Sequence, residues 1–136
     1  MAENTFKLNV LTPERNIFGD DVQSLTANGS DGHFGILPKH APMLSSLDIG
    51  ALIVTDKNGN PNNFALNGGF LEVINNEVTI LAETAEHADD IDASRAKSAK
   101  ERAQQRIDQK SAETDLKRAE IALNKAITRL KIKEGL

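Results

Sequence analysis

The chain has 136 residues, is 39% hydrophobic, carries a net charge of −4, and contains five Phe but no Trp, Tyr or Cys. That length suits one domain or two small ones around a modest core. The composition excludes disulfides and thiolate metal sites, and no apolar run is long enough to span a bilayer as a helix.

Charge and punctuation divide the sequence. Residues 1–87 hold 4 Lys and Arg against 11 Asp and Glu, a net of −7; residues 88–136 hold 12 against 9, a net of +3. An acidic body with a basic tail predicts different partners for the two parts. All four prolines and eight of the nine glycines lie before residue 70. The start, MAENTFKLNV, lacks a basic and apolar signal pattern, so a cytoplasmic protein is expected.

The first part reads as strands. FKLNVL alternates, with Phe6, Leu8 and Val10 on one side. VQSLTA (22–27) and GALIVTD (50–56) are strand-like. HFGILPKHAP (33–42) reads as a loop, stiffened by Pro38 and Pro42, with Gly35 allowing a tight bend. DKNGNPNN (56–63) predicts a hairpin turn, because Asn-Gly favours the turn types that join antiparallel strands. FLEVINNEVTIL (70–81) reads as two strands joined at Asn75-Asn76. Short strands with frequent turns predict an antiparallel sandwich or barrel.

The second part reads as helix. Residues 88–134 contain neither Gly nor Pro and are rich in Ala, Lys, Arg and Glu, all good helix formers. Ala96, Ala99, Ala103 and Ile107 form one apolar stripe; Leu116, Ala119, Leu123, Ala126 and Leu130 form another. DQKSAETD between them breaks the pattern and offers Ser111 and Thr114 as caps. One long helix is the alternative, but two narrow stripes that bury each other favour an antiparallel hairpin.

A hairpin with its turn near 110–111 sets residue 92 opposite 129 and 96 opposite 125. Arg95, Arg102, Lys125 and Arg129 then approach one region. Cations gathered without acids are relieved by an anion, and arginine forks suit phosphate oxygens. The start of the first helix favours anions too. Ala96 and Ala99 leave room for a ring, and Glu86 and Asp92 accept hydrogen bonds, so the set suits a nucleotide. A plainer reading stands beside it. Asp92 only caps a helix, and Asp92–Arg95 is a surface pair worth under about 1 kcal/mol.

Two stretches carry a family resemblance. GSDGHFGILPKHAPMLSSLDIG (29–50) resembles the signature of the epsilon subunit of F-type rotary ATP synthases. DDIDASRAKSAKERAQQR (89–106) is similar to the ATP-recognition segment of epsilon subunits from some bacilli. The likeness runs over nearly the whole chain. It implies an α+β protein: a flattened ten-stranded antiparallel β-sandwich over 1–87, binding gamma and the c-ring, then a two-helix regulatory hairpin over 88–136. It implies a non-catalytic subunit at the cytoplasmic face of the bacterial membrane, attached through the complex, with no nucleic-acid partner. The hairpin folds down, or extends into the alpha/beta hexamer and opposes ATP hydrolysis; there Arg95, Arg102, Arg106 and Arg118 meet acidic surfaces. The ligand implied is ATP as a regulator, with or without magnesium, bound to the folded hairpin by Glu86, Ile91, Asp92, Arg95, Ala96, Arg102, Lys125 and Arg129. Lys125 stands where ATP-binding members carry arginine. By the same resemblance Asp31, His33 and His40 lie in the surface that meets gamma and the c-ring loops. A metal site from these three is disfavoured for want of another strong ligand and of groups to orient the rings. A free-standing adaptor and a small β-sandwich hydrolase are the competing functions. No nucleophile or paired base supports the latter.

Overall fold

The computed structural model describes residues 4–109 and 113–134, and the chain divides into two units, Met1–His87 and Ala88–Leu136. The first unit holds seven strands: β1 (Phe6–Leu11), β2 (Asn16–Gly29), β3 (Gly32–Ile36), β4 (Met43–Asp56), β5 (Phe64–Ile74), β6 (Glu77–Ala82) and β7 (Ala85–His87). The expected alternation in β1 is present: Phe6, Leu8 and Val10 are buried and Lys7 is exposed. They join Val22, Leu52, Val54, Phe64, Leu71 and Ile80 in one core.

The sheet closes on itself. β1 pairs with β2, β2 with β4, β4 with β5 and β5 with β6, all antiparallel; β6 returns to β1 in parallel. The sandwich is therefore not wholly antiparallel as expected. The reason is arithmetic: a closed ring with an odd number of alternating strands must contain one parallel seam. β3 adds to β2, and β7 to β5.

The ten strands implied by the resemblance are seven, because three are long. β2 runs for 14 residues, pairing with β1 over 16–22 and with β3 over 25–29. Register shifts at Val22/Ser24 and Thr26/Gly29 let it bend between layers. β5 changes partner along its length, from β7 at Phe64–Leu66 to β6 at Gly69–Ile74. The change falls on Gly68 and Gly69, with φ of +100° and +144°. A Cβ on Gly69 would lie 2.1 Å from the Leu81 carbonyl oxygen, so only glycine fits.

The turns follow their chemistry. Asn75 and Asn76 both have positive φ (50° and 60°) and join β5 to β6, as expected. The Asp56 carboxylate accepts from the Asn58 and Asn60 N–H groups, both at 2.9 Å, and organises the β4–β5 turn. Two expectations fail in the 33–42 segment. His33–Ile36 lie in edge strand β3, not in a loop, and Gly35 pairs there with Thr26. The sharp bend is at Lys39 (φ 65°), whose N–H donates to Asn76 Oδ1 at 2.7 Å.

The second unit is a hairpin: a short 3-10 turn (Ala88–Asp90), then α1 (Ala93–Asp108) and α2 (Glu113–Glu134). α1 and α2 pack together. Lys133 Nζ donates to the Ala88 carbonyl at 3.3 Å, so the end of α2 returns to the start of α1. This antiparallel register matches the one expected from the apolar stripes. Ala96 and Ala103 are buried on α1, and Ala119 and Ala126 on α2. Small side chains at spacing seven let two helices approach closely. The turn expected at 110–111, and the capping expected of Ser111 and the Thr114 side chain, lie outside the described residues.

Candidate functional site

The hairpin's charged flank is built on its alanine seam. Arg95 and Arg102 each precede a buried alanine of α1, Ala96 and Ala103; Lys125 precedes buried Ala126 of α2. In an antiparallel pair, positions just before the seam on each helix lie along the same flank. Arg95 and Arg102 are exposed, Lys125 half-buried. Among the described residues, none of these three makes an ion pair. Arg129, one turn beyond Lys125 and half-buried, is already engaged within the folded chain. The flank thus carries cations that have no carboxylate partner among the described residues, the kind of group that an anion's oxygens bind.

The start of α1 shows Asp92 as a helix cap. Asp92 is the N-cap, with extended φ/ψ, and its Oδ1 accepts from the Arg95 N–H at 3.1 Å. The expected anion at that helix end is therefore supplied, at least on one N–H, by the chain's own carboxylate. The tie to Arg95 runs through its backbone, leaving the guanidinium to act elsewhere. Replacing Asp92 by alanine is expected to cost about 1 kcal/mol of hairpin stability, with asparagine restoring most of it. Urea unfolding followed by helical circular dichroism checks this; no change in the alanine variant would refute the capping role. Ile91, just before the cap, is buried. Glu86 is half-buried in β7, opposite Ala65, and is also engaged.

The three residues assigned to the stalk-facing surface fall at two places. Asp31 is exposed in the two-residue turn between β2 and β3, and exposed His33 follows on β3 opposite Asn28. His40 lies beyond the other end of β3, its Nδ1 2.7 Å from the Ala41 carbonyl. Among the described residues no cluster of three His, Asp or Glu forms. Ile36 is core, Phe34 packs on the core, and Leu37 is exposed.

The sequence reading missed an apolar face. Leu44 (73% exposed), Phe70 (57%), Ile74 (50%) and Leu81 (55%) point outward from β4, β5 and β6. Phe70 and Leu81 are directly opposite each other, and Leu44 lies diagonally across from Phe70. Beside them a cleft is lined by Leu11, Pro13, Leu47, Gly69 and Glu83. Large apolar side chains grouped in this way mark a contact surface. Strict alternation held the signal, because Phe70, Glu72 and Ile74 share the face opposite buried Leu71 and Val73.

One ion pair is found among the described residues of the sandwich. Asp20 meets Lys57 at 3.2 Å. The Asp21 N–H first, then the Lys57 ammonium, hold the Asp20 carboxyl below its usual range. A lowered folded value means that this small contribution is present above the unfolded carboxylate pKa and is lost on acidification through the folded one.

An outward apolar face on one unit and an uncompensated basic flank on the other define a protein that works through contacts, a subunit of a larger assembly. The chain belongs to the delta/epsilon chain family of ATP synthases. Residues 5–88 match the ATP synthase delta/epsilon chain β-sandwich domain, and residues 89–134 its long α-helix domain. It is 48% identical to the ATP synthase epsilon chain of Desulforamulus reducens over 130 residues, covering 96% of this chain and 98% of that one. It is 46% identical to the epsilon chain of Syntrophomonas wolfei over 134 residues, covering 98% of each. A chain of the Euglena gracilis mitochondrial ATP synthase, in a structure of OSCP, F1 and c-ring, superposes with a TM-score of 0.80 at 25% identity, covering 89% of this chain and 76% of that one. Epsilon chains are non-catalytic subunits, which sets aside both the hydrolase and the free-standing adaptor.

Proposed function

We propose that this epsilon chain is a rotor subunit of the central stalk whose sandwich couples gamma to the c-ring and whose hairpin regulates ATP hydrolysis. The sandwich contributes two surfaces. The Leu44–Phe70–Leu81 face supports an apolar contact with gamma, and Asp31, His33 and His40 a polar one with gamma and the c-ring loops. The likeness to a chain solved with F1 and c-ring supports this placement. The subunit then sits peripherally at the cytoplasmic face of the bacterial membrane, attached through the complex. No helix among the described residues is long and apolar enough to cross it.

The folded hairpin binds ATP as a regulatory ligand, and the extended hairpin reaches the alpha/beta hexamer and inhibits hydrolysis. One observation carries the nucleotide reading: Arg95, Arg102 and Lys125 line one flank of the seam with no carboxylate partner among the described residues. Two arginine forks and an ammonium suit a triphosphate. Asp92, Ile91, Ala96 and Arg129 of the hairpin complete the proposed set, with Glu86 the remaining residue that the resemblance assigns. A ligand that binds only the folded hairpin stabilises it by about 2.7 kcal/mol at a hundredfold excess over Kd. That is enough to shift a two-state equilibrium poised within a few kcal/mol.

Titrating the full chain with ATP tests this. Hairpin amide shifts in NMR are expected with the native chain, loss of binding by tenfold or more (about 1.4 kcal/mol) with Arg95→Ala, and tighter binding with Lys125→Arg. Absence of shifts at about millimolar ATP, where even a 4 kcal/mol interaction registers, would remove ATP as the hairpin's ligand.

A further inference from the structure

The sequence contains three Asn-Gly steps, Asn28-Gly29, Asn58-Gly59 and Asn67-Gly68, and the fold treats them differently. We propose that Asn58 is a self-modification site, where the turn converts its asparagine to aspartate and isoaspartate while the other two steps are held intact. The chemistry needs only water. The Gly59 nitrogen attacks Asn58 Cγ and loses its proton; the side-chain nitrogen leaves as ammonia, and a five-membered imide closes. Water then opens either imide C–N bond, giving aspartate at one and isoaspartate at the other. Nothing is oxidised or reduced.

The geometry separates the three steps. Asn28 lies within β2, half-buried, with its Nδ2 donating to the Ile49 carbonyl at 3.0 Å. A Cβ on Gly50 would come within 2.7 Å of that side chain, which is thus packed against β4 as well as hydrogen-bonded to it. Asn67 lies within β5, its Nδ2 bonded to Thr84 Oγ1 and its N–H to the Thr84 carbonyl. In both, cyclisation would break strand pairing. Asn58 is exposed, as are Lys57, Gly59 and Asn60 beside it. Its side chain has no hydrogen-bond partner among the described residues. Gly59 has φ +84° and open space around its Cα. The attacking nitrogen is restrained by one surface bond, to the Asp56 carbonyl at 3.0 Å, of the kind that opens locally without unfolding. Asparagine is among the thermally labile residues, and these conditions concentrate that lability at one position.

The product has a structural reach. Isoaspartate inserts a backbone carbon between Asp56 and Asn60, whose N–H···O bond of 2.8 Å closes the turn. Asp56 Oδ2 also accepts from Asn62 Nδ2 at 2.9 Å, and Asn62 Oδ1 meets His87 Nε2 at 2.9 Å. Ageing of the turn therefore acts on the last residue of β7.

The test is prolonged incubation of the full chain at mildly alkaline pH, with peptide mass mapping and separation of the two isomers. Expected is conversion at Asn58 several-fold faster than at Asn28 or Asn67, with the three rates converging in urea, and no conversion at position 58 in Asn58→Gln. Equal rates at the three steps in the folded chain would overturn the proposal. So would an intact Asn58 in the folded chain alongside conversion in urea.

Discussion

Gly69→Ala is expected to cost the sandwich about 4 kcal/mol or more, at the far end of single substitutions. Two causes add. At φ +144° an alanine is strained by about 1–3 kcal/mol wherever it sits. Here its methyl would also lie 2.1 Å from the Leu81 oxygen and 2.9 Å from Ala82 Cα, both backbone atoms that cannot turn aside. Relief requires β5 and β6 to separate where β5 changes partner. Gly59→Ala is the control: its φ is also positive, but nothing lies within 4 Å, so only the strain of about 1–3 kcal/mol applies. Urea midpoints of the two variants decide the matter. Similar losses would show that close approach plays no part at Gly69.

Phe70→Asp combined with Leu81→Asp is expected to abolish binding to gamma while leaving the sandwich folded. Both side chains are more than half exposed, so the folded chain loses little core contact. They are adjacent across the β5–β6 ladder and form the centre of the outward apolar face. A centrally buried aromatic or aliphatic anchor contributes about 2 kcal/mol or more at an interface, roughly thirtyfold in Kd for each. Placing carboxylates there adds desolvation without a partner. Co-purification with gamma and a thermal melt separate the outcomes. Retained binding would move the gamma surface away from this face, whereas a collapsed melt would show that Phe70 belongs to the core.

Much of the fold was legible because its signals were local. Period two in β1, paired asparagines at 75–76, and the absence of Gly and Pro over 88–134 each named an element without reference to the rest. β3 was obscured by a tertiary preference. Gly35 reads as a bend in isolation, yet it accepts an ordinary strand conformation opposite Thr26. Closure of the sheet was hidden as well, since no local pattern says that β1 will meet β6. At the site, the charges of Arg95, Arg102 and Lys125 were visible from spacing against the alanines. The cap by Asp92, offered by the sequence as the plainer reading, is present, with its Oδ1 accepting from the Arg95 N–H. The apolar face was missed because Phe70-Leu71 and Ile80-Leu81 put apolar side chains on both faces, although alternation with Glu72 separates Phe70 and Ile74 from buried Leu71 and Val73.

The parallel seam sets an order of events. Leu8 pairs with Val78, and Val10 with Ile80, so the first strand meets β2 across a short turn but waits some seventy residues for its second neighbour. Hairpins such as β5–β6 close over a short loop, whereas this seam carries the heaviest loop-closure entropy in the sandwich. β1 has its hairpin partner β2 close at hand, and the ring is complete only once β6 has formed. Local hairpins are thus expected to form first and ring completion last.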